Sequence, residues 1–334
     1  MELILIIPLL IGFFTTLFFI PFWIKKTKQI GLMWEDMHKL KNPKNVAGSG
    51  GLIVILGFVI GVLSYIAIKT FILRTNITTV EIFALLTTTL IAGFVGFIDD
   101  IFGWIRGGLS VKFRIVLLLF ASIPLMVINA GTSEMIGINF GLLYPIFFIP
   151  LGIIGASTTF NFIAGYNGLE TSQGILILSA LALVAWLIGS SWLSLICLVM
   201  VSCLIAFYVF NKYPAKIFPG NILTYSTGAL IAIVAILGNI EKIAVFFFIP
   251  YIIETCLKVR GRLKRQSFSK VNKDGSLDIP YEKFYGIEHI AIFVLKKIKK
   301  NKKVYEKEVV YLINLFQISI IILGLIMFRE GIFG

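Results

Sequence analysis

Long apolar stretches, separated by shorter polar segments, follow one another along almost the whole chain. A transmembrane helix needs about 20 mainly apolar residues to cross a hydrocarbon core of ~30 Å. Ten stretches come close to that length, at residues 2–24, 49–68, 80–98, 115–130, 142–160, 174–189, 191–210, 222–239, 243–257 and 308–328. The pattern predicts an all-α integral membrane protein with ten transmembrane helices, here called spans 1 to 10. We expect them to form a single transmembrane domain over residues 1–334.

The composition supports the membrane class and excludes a soluble globular domain. Hydrophobic residues make up 58% of the 334 positions and charged residues only 14%, whereas soluble domains carry about 25% charged residues. The first apolar stretch is too long for a cleavable signal peptide, and its start carries too few basic residues. Cys197, Cys203 and Cys256 fall inside predicted spans, so we expect buried thiols and no disulfide framework.

The basic residues are distributed unevenly between the two predicted faces of the membrane. The loops after the odd-numbered spans hold 26 of the 30 Lys and Arg residues. Because short cytosolic loops are enriched in these residues, we expect the odd-numbered loops in the cytosol and both termini on the non-cytosolic side. Residues 258–307 are predicted as a basic cytosolic loop between spans 9 and 10. This topology, with attraction to anionic lipids of the bilayer, explains the net charge of +13 better than nucleic-acid binding does.

Two adjacent carboxylates, Asp99 and Asp100, stand at the end of span 3. Charged groups near hydrocarbon are costly unless they are solvated, paired or bound to a cation, and neighbouring like charges repel each other. A divalent metal ion would relieve both costs. The alternative is a pair of exposed charges at a helix end, which would need no ligand.

Other unusual polar segments also fall in odd-numbered loops. They lie at residues 36–39 in the first loop, 161–170 in the fifth, 218–221 in the seventh and 260–265 in the ninth. Their common placement on the predicted cytosolic face indicates a charged, water-soluble substrate.

The residue types in these loops suit metal-assisted phosphoryl chemistry. A hard divalent cation prefers oxygen ligands. The available ones belong to Asp99, Asp100, Asn161 and Asn221. Lysine and arginine side chains make charge-assisted hydrogen bonds to phosphate oxygens. The candidates for that role are Lys112, Arg260 and Arg262.

Simpler explanations stay open for several of these features taken singly. Asn167-Gly168 is a common turn dipeptide. Residues 258–265 could serve only as a topology anchor, and the lysine run at 296–303 is expected to be a solvated or lipid-touching surface. His38 is expected to be an ordinary polar loop residue.

Three motifs stand in order along the predicted cytosolic face. They are Gly96-Phe-Ile-Asp99-Asp100, Asn161-x3-Gly165-x-Asn167-Gly168-Leu-Glu170, and Tyr213-Pro-Ala-Lys-Ile-Phe-Pro-Gly-Asn221. This series resembles the polyprenyl-phosphate N-acetylhexosamine-1-phosphate transferases, which couple a UDP-amino sugar to a lipid phosphate. The ninth loop, with residues 260–265 and 274–284, is similar to the dolichyl-phosphate, UDP-GlcNAc branch of archaea and eukaryotes. The histidine-rich signature of the bacterial muramyl-pentapeptide transferases is absent from the sequence.

The resemblance implies transfer of GlcNAc-1-phosphate from UDP-GlcNAc to a polyprenyl or dolichyl phosphate, with release of UMP, as a first step of lipid-linked glycan assembly. It also implies Mg²⁺ as the cofactor, with Mn²⁺ as the alternative. The catalytic residues would be Asp99, Asp100 and Lys112, and the metal ligands Asn161, Asn221 and Asp100. The substrate-binding residues would be Asn167, Gly168, Glu170, Arg260, Arg262 and Lys39.

The chain departs from the family pattern at three places. The family has an aspartate where this chain has Asn221, and a neutral amide binds a divalent cation more weakly than a carboxylate does. We therefore expect lower activity than in a version that carries the aspartate. Gly261 stands where the dolichyl branch has a histidine, and the spacing from Asp100 to Lys112 is longer than usual.

Two other classes of protein compete with the transferase. A transporter would place ionisable groups near the bilayer midplane, but apart from Glu254 the predicted spans are almost free of them. A catalytically impaired homologue that binds lipid phosphate gains support from Asn221.

The Ile and Lys bias and the dolichyl-branch features favour an archaeal cell membrane over the endoplasmic reticulum. The resemblance leaves the exact N-acetyl sugar open and is compatible with a homodimer.

Overall fold

The computed structural model describes residues 3–135 and 138–330. Its helices are α1 Ile7–Ile30, α2 Gly51–Ala67, α3 Thr79–Arg106, α4 Val111–Val127, α5 Ile149–Phe160, α6 Leu169–Leu187, α7 Ser191–Asn211, α8 Gly220–Gly238, α9 Glu241–Phe247, α10 Ile249–Arg260, α11 Ile287–Ile298 and α12 Glu306–Met327. Each predicted span overlaps at least one of these helices. The prediction of an all-α membrane protein is therefore confirmed in its main feature.

Within residues 3–135 and 138–330, seven helical stretches are long and apolar enough to cross a membrane by themselves. They are Leu3–Ile30, Gly51–Ile72, Thr79–Ile105, Leu169–Leu187, Ser191–Asn211, Gly220–Gly238 and Glu306–Met327. The stretch Tyr144–Phe160 is a shorter apolar helix that begins with a π-helical turn. The predicted ninth span is divided between α9 and α10, with Pro250 in the first turn of α10. Proline fits the first turn of a helix but cannot continue the hydrogen bonds of a preceding one.

The acidic pair lies inside a helix instead of beyond its end. Helix α3 continues past Asp99 and Asp100 to Arg106, and it ends at Gly107 with φ +88°. Glycine adopts this left-handed conformation without the steric cost that other residues incur. The two carboxylates are therefore fixed by helical backbone on both sides.

Helix α8 occupies the centre of the helical bundle. In its most apolar stretch 83% of the residues are buried, compared with 22% in peripheral helix α1. Small residues allow its neighbours to approach closely: a side chain at Gly96 of α3 would overlap the backbone of Asn221. On the other flank, a Cβ at Gly228 of α8 would lie 2.5 Å from the carbonyl oxygen of Ala156 in α5. The functional motifs of α3, α5 and α8 are thus brought within side-chain reach.

The described loops contain three short antiparallel hairpins. They are formed by β1 Met33–Glu35 with β2 Lys44–Ala47, β3 Glu134–Met135 with β4 Ile138–Asn139, and β5 Lys270–Val271 with β6 Leu277–Asp278. The third hairpin and helix α11 both lie within residues 258–307, so this basic segment has regular structure of its own.

The first loop is joined to the seventh by backbone hydrogen bonds. The backbone amide of Ala47 donates to the carbonyl oxygen of Lys216, and the backbone amide of Phe218 donates to the carbonyl oxygen of Ala47.

One cysteine differs from the expectation. Cys197 and Cys203 are buried, but Cys256 is exposed because it lies on the outer side of α10.

Candidate active site

Asp100 is buried against the beginning of α8. One of its carboxylate oxygens accepts a hydrogen bond from the backbone amide of Asn221 at 2.7 Å, and the other accepts one from the Ser49 hydroxyl at 3.0 Å. The first N–H groups of a helix lack intrahelical partners and carry the positive end of the helix dipole. Asp100 therefore anchors α8 to α3, and the end of α8 in turn stabilises its negative charge.

Asp99 accepts four hydrogen bonds from three different parts of the chain. Its donors are the backbone amide of Leu109 at 2.7 Å, the Asn221 side-chain amide at 2.9 Å, the Tyr225 hydroxyl at 3.1 Å and the Arg114 guanidinium at 3.2 Å. Arg114 also donates to the Tyr225 hydroxyl at 3.0 Å. A buried carboxylate is tolerated when it is paired and its lone pairs are hydrogen-bonded, and Asp99 meets both conditions.

Gly220 is required by the close approach of α8 to the acidic pair. Its φ is +72°, and a Cβ at this position would overlap the carboxylate of Asp100. Both facts exclude a larger residue without local rearrangement. The Phe-Pro-Gly-Asn sequence therefore delivers the backbone amide of Asn221 directly to Asp100.

Asn161 joins this group from the end of α5. Thr224, one helical turn after Asn221 in α8, donates a hydrogen bond from its hydroxyl to the side-chain oxygen of Asn161 at 3.0 Å and also contacts the Asn221 carbonyl. Asn221 thus contacts Asp99 and Asp100 directly, and Asn161 is linked to it through Thr224.

The chemistry of this group fits a hard divalent cation. All of its side-chain acceptors are carboxylate or amide oxygens, which are the ligands that Mg²⁺ and Mn²⁺ prefer. The amide nitrogen of Asn221 donates to Asp99. Its side-chain oxygen is therefore turned away from Asp99 and, within the described part of the chain, receives no protein hydrogen bond.

The second motif, at residues 161–170, is held by hydrogen bonds from three other segments. The side-chain oxygen of Asn167 accepts from the amide of Ala215 at 2.6 Å, and its backbone amide donates to Glu306 at 2.7 Å. Its side-chain nitrogen lies 3.4 Å from Asp36. Asn167 therefore connects the first, fifth and seventh loops with the start of α12.

Gly168 and Glu170 form the turn into α6. Gly168 has φ +83° and would place a Cβ 2.9 Å from the ring of Tyr208. Glu170 is buried and accepts a hydrogen bond from the amide of Gly165 at 2.9 Å. Their predicted roles in substrate binding stay predictions, since the contacts observed here are internal.

The basic residues selected from the sequence lie apart from the acidic pair. Lys112, Arg260 and Arg262 are exposed, and they make no hydrogen bond or ion pair with the carboxylates among the described residues. Lys39 is paired with Glu306 at 2.6 Å and with Asp36 at 3.4 Å. Their contacts with substrate phosphates stay predictions.

Several residues of the site were not identified from the sequence. Arg114 was not selected from the sequence, although its guanidinium contacts Asp99. Tyr225 follows Asn221 by four positions, and such residues share one face of a helix. Ser49 stands within the glycine-rich run 48–51, and such a run indicates close approach of the backbone to another group. No sequence pattern marks Glu306, because its partners Lys39 and Asn167 are distant in sequence.

His38 differs from the expected polar loop residue. It is buried, and its ring stacks on Tyr166 with the two centroids 3.8 Å apart. Burial, with a smaller contribution from the positive charge of Lys39, lowers the pKa of His38 to about 3. His38 is therefore a neutral packing residue at neutral pH.

Comparison with known proteins identifies the family of the chain. A family model described as glycosyl transferase family 4 matches residues 82–239, a range that includes the acidic pair and both asparagines. A protein of Saccharolobus solfataricus is 36% identical over 296 residues, which cover 86% of this chain and 88% of that protein. The chain belongs to this glycosyltransferase family. The resemblance found in the three motifs is thereby confirmed.

The relatives of the family are named for closely related reactions. The Saccharolobus protein and one from Sulfolobus acidocaldarius, 33% identical over 82% of this chain and 83% of that protein, are both named as putative UDP-N-acetylglucosamine–dolichyl-phosphate N-acetylglucosaminephosphotransferases. A phospho-N-acetylmuramoyl-pentapeptide-transferase of Streptococcus pyogenes is 26% identical over 75% of the chain and 77% of that protein. The chain is therefore more similar to the two archaeal relatives than to this bacterial one.

Proposed function

We propose that this protein transfers GlcNAc-1-phosphate from UDP-GlcNAc to a dolichyl or other polyprenyl phosphate and releases UMP. The observation that carries the proposal is the chain of hydrogen bonds that joins Asp99 and Asp100 of α3 to Asn221 of α8 and, through Thr224, to Asn161 at the end of α5. The names of the two archaeal relatives support the choice of donor and acceptor.

Asn161, Asn221 and Asp100 are the residues proposed to hold Mg²⁺, with Mn²⁺ as a second choice. When bound, the metal neutralises the negative charge of the diphosphate. Arg114 lies within hydrogen-bond distance of Asp99 and supplies a fixed positive charge at the same place. The site therefore combines acceptor oxygens with one partly buried cationic side chain.

The transfer proposed here forms one phosphorus–oxygen bond and breaks another. An oxygen of the lipid phosphate attacks the β-phosphorus of UDP-GlcNAc, and the bond between that phosphorus and the bridging oxygen breaks. The electron pair leaves on UMP. Asp99 accepts the proton of the lipid phosphate where the phosphate carries one, and the Arg114 and Tyr225 contacts hold its carboxylate in place.

The proposed setting is an archaeal cell membrane with the site facing the cytosol. The seven long apolar helices support an integral membrane protein, and the distribution of Lys and Arg supports a cytosolic site. A soluble nucleotide sugar and a membrane-bound acceptor would meet at that face. A homodimer is compatible with the family resemblance.

The test is UMP release by purified protein supplied with UDP-GlcNAc, dolichyl phosphate and Mg²⁺. We expect release to require all three components, and to fall by about 100-fold or more in Asp99→Asn and Asp100→Asn. A transporter would instead move UDP-GlcNAc across a vesicle membrane without releasing UMP. A lipid-binding homologue would bind dolichyl phosphate but consume no UDP-GlcNAc.

A further inference from the structure

Glu306, the first residue of α12, is buried and makes two charge-assisted contacts with remote parts of the chain. One oxygen accepts from the backbone amide of Asn167 at 2.7 Å, and the other accepts from the Lys39 ammonium at 2.6 Å. Only 2% of the Glu306 side chain is exposed, so water cannot replace these partners readily. Hydrogen bonds that involve an ionised group are about twice as strong as neutral ones.

Lys39 provides the positive charge that this buried cluster requires. It lies between Glu306 and Asp36, whose carboxylate is 3.4 Å away, and it also stacks over the ring of Tyr213. His38 adds no charge at neutral pH, because its pKa is lowered to about 3. Asp36, His38 and Glu306 are close enough together to suggest a metal site. A divalent ion there would have to displace the Lys39 ammonium, so we assign the position to Lys39.

The contact at Asn167 leads from this cluster to the site. The Asn167 side chain accepts a hydrogen bond from Ala215, whose segment ends in Gly220 and Asn221 against Asp100. A displacement of Asn167 would therefore shift the second motif, to which it belongs, and the loop that leads into α8, to which it is hydrogen-bonded. A displacement of about 1 Å caused by a change far from the reacting atoms can lower a rate by two orders of magnitude.

We propose that Glu306 is a positioning residue for Asn167, which the family resemblance assigns to substrate binding, and that it acts by holding the backbone of Asn167 while paired with Lys39. This inference rests on the proposed function. It assigns the last helix of the bundle an indirect part in substrate binding, through Asn167. In this role Lys39 acts as the counter-ion of Glu306, in place of the substrate contact expected from the sequence.

The test compares Glu306→Gln with wild-type protein in the UMP-release assay. The neutral amide introduced by this substitution cannot form an ion pair with the Lys39 ammonium, so we expect the KM for UDP-GlcNAc to rise about tenfold while kcat changes less than threefold. Binding of UMP, measured by calorimetry without acceptor, should weaken by a similar factor. The UMP measurement needs no turnover, and wild-type UMP release tests the proposed function separately.

Glu308→Gln is the matched control. It makes the same chemical change two residues later in the same first turn, where Glu308 pairs with Lys299 at 2.7 Å and does not contact Asn167. We expect its KM for UDP-GlcNAc to stay within twofold of wild type. An equal rise in both variants would mean that the effect is general to the helix terminus and would overturn the proposal.

A second pair of variants covers the case in which Glu306→Gln does not fold. Lys39→Met should also raise the KM, because it leaves two buried carboxylates without their cation. The double variant Lys39→Met/Glu306→Gln removes both charges, so its KM should be no higher than that of Lys39→Met alone. Independent, multiplicative effects, or a KM within twofold of wild type in Lys39→Met, would contradict the ion-pair role.

Discussion

At the scale of single residues, the site is shaped by the amide at position 221. Asn221 donates from its side chain to Asp99 at 2.9 Å and from its backbone to Asp100 at 2.7 Å. An aspartate at this position could make only the backbone contact. Its side chain would repel Asp99 unless a cation stood between them. The amide therefore allows the acidic site to assemble without metal, but it contributes no charge to metal binding.

Asn221→Asp is therefore expected to change stability and activity in opposite directions. In metal-free buffer the thermal unfolding temperature should fall, because a hydrogen bond to a charged group, worth about 1.5–3 kcal/mol, is replaced by repulsion. With Mg²⁺ present, turnover should rise and the concentration of Mg²⁺ for half-maximal UMP release should fall by roughly tenfold. Unchanged turnover and Mg²⁺ dependence would contradict the expectation that the amide limits activity.

Arg114 and Lys112 offer a comparison of two basic residues in the first turn of α4. Arg114 contacts Asp99 and Tyr225, while Lys112 is exposed two positions earlier. We expect Arg114→Gln to lower the rate of UMP release by about 30-fold or more, which corresponds to roughly 2 kcal/mol. Lys112→Gln should lower it by less than threefold if Lys112 has no role in the chemistry. A larger loss in Lys112→Gln would instead support the catalytic role expected from the sequence.

At the scale of elements, the site depends on how tightly α8 docks against α3. Gly220 allows this contact, since any side chain there would overlap Asp100. The same residue needs a positive φ, so a substitution would combine backbone strain with steric overlap. These two costs can be separated because the chain offers another glycine that has a positive φ but would cause no steric overlap.

Gly220→Ala and Gly189→Ala form that comparison. Gly189 has φ +84°, but no atom lies within 4 Å of a Cβ placed there. We expect Gly189→Ala to lose about 1 kcal/mol of stability from strain and to keep its activity. Gly220→Ala should lose more, and its UMP release should fall at least tenfold because the amide of Asn221 moves away from Asp100. Equal activities of the two folded variants would show that close docking is unnecessary.

The sequence predicted the elements better than the contacts between them. Hydropathy located every long helix, because apolar length is a local property. It placed the end of span 3 at residue 98, although α3 continues to Arg106. Polar residues can extend a helix beyond the hydrocarbon, and only the glycine at 107 marks its end. The division between α9 and α10 was also missed, since Pro250 was counted as part of one apolar run.

At the scale of the whole molecule, the sequence predicted a common membrane face for the site residues. It did not predict their hydrogen-bond and ion-pair partners. Placement in odd-numbered loops put Asp99, Asn161 and Asn221 on one predicted face; Asp99 contacts Asn221, and Asn161 is linked to Asn221 through Thr224. Glu306 could not be found in this way, because its contact with Lys39 spans 267 positions. Burial of His38 likewise depends on packing from the ninth loop, which hydropathy does not describe.

The number of membrane crossings depends on three shorter helical segments besides the seven long ones. Tyr144–Phe160 rises about 26 Å at 1.5 Å per residue, and α4 is of equal length. Helices α9 and α10 together run from residue 241 to residue 260, close to the length of one crossing. If each of these segments crosses once, the total is ten, and the third and ninth loops lie on the same side.

Impermeant maleimide labelling of single cysteines in a background without Cys197, Cys203 and Cys256 tests this topology. Lys112→Cys and Lys264→Cys, both at exposed positions in odd-numbered loops, should react in inside-out vesicles and stay unlabelled in right-side-out ones. Lys242→Cys, at an exposed position in the first turn of α9, should show the reverse pattern and serves as the internal control. Labelling of Lys112→Cys and Lys264→Cys from opposite sides would place an odd number of crossings between them. The ninth loop could then not reach a cytosolic donor bound at the acidic pair, and Glu306 could not position it.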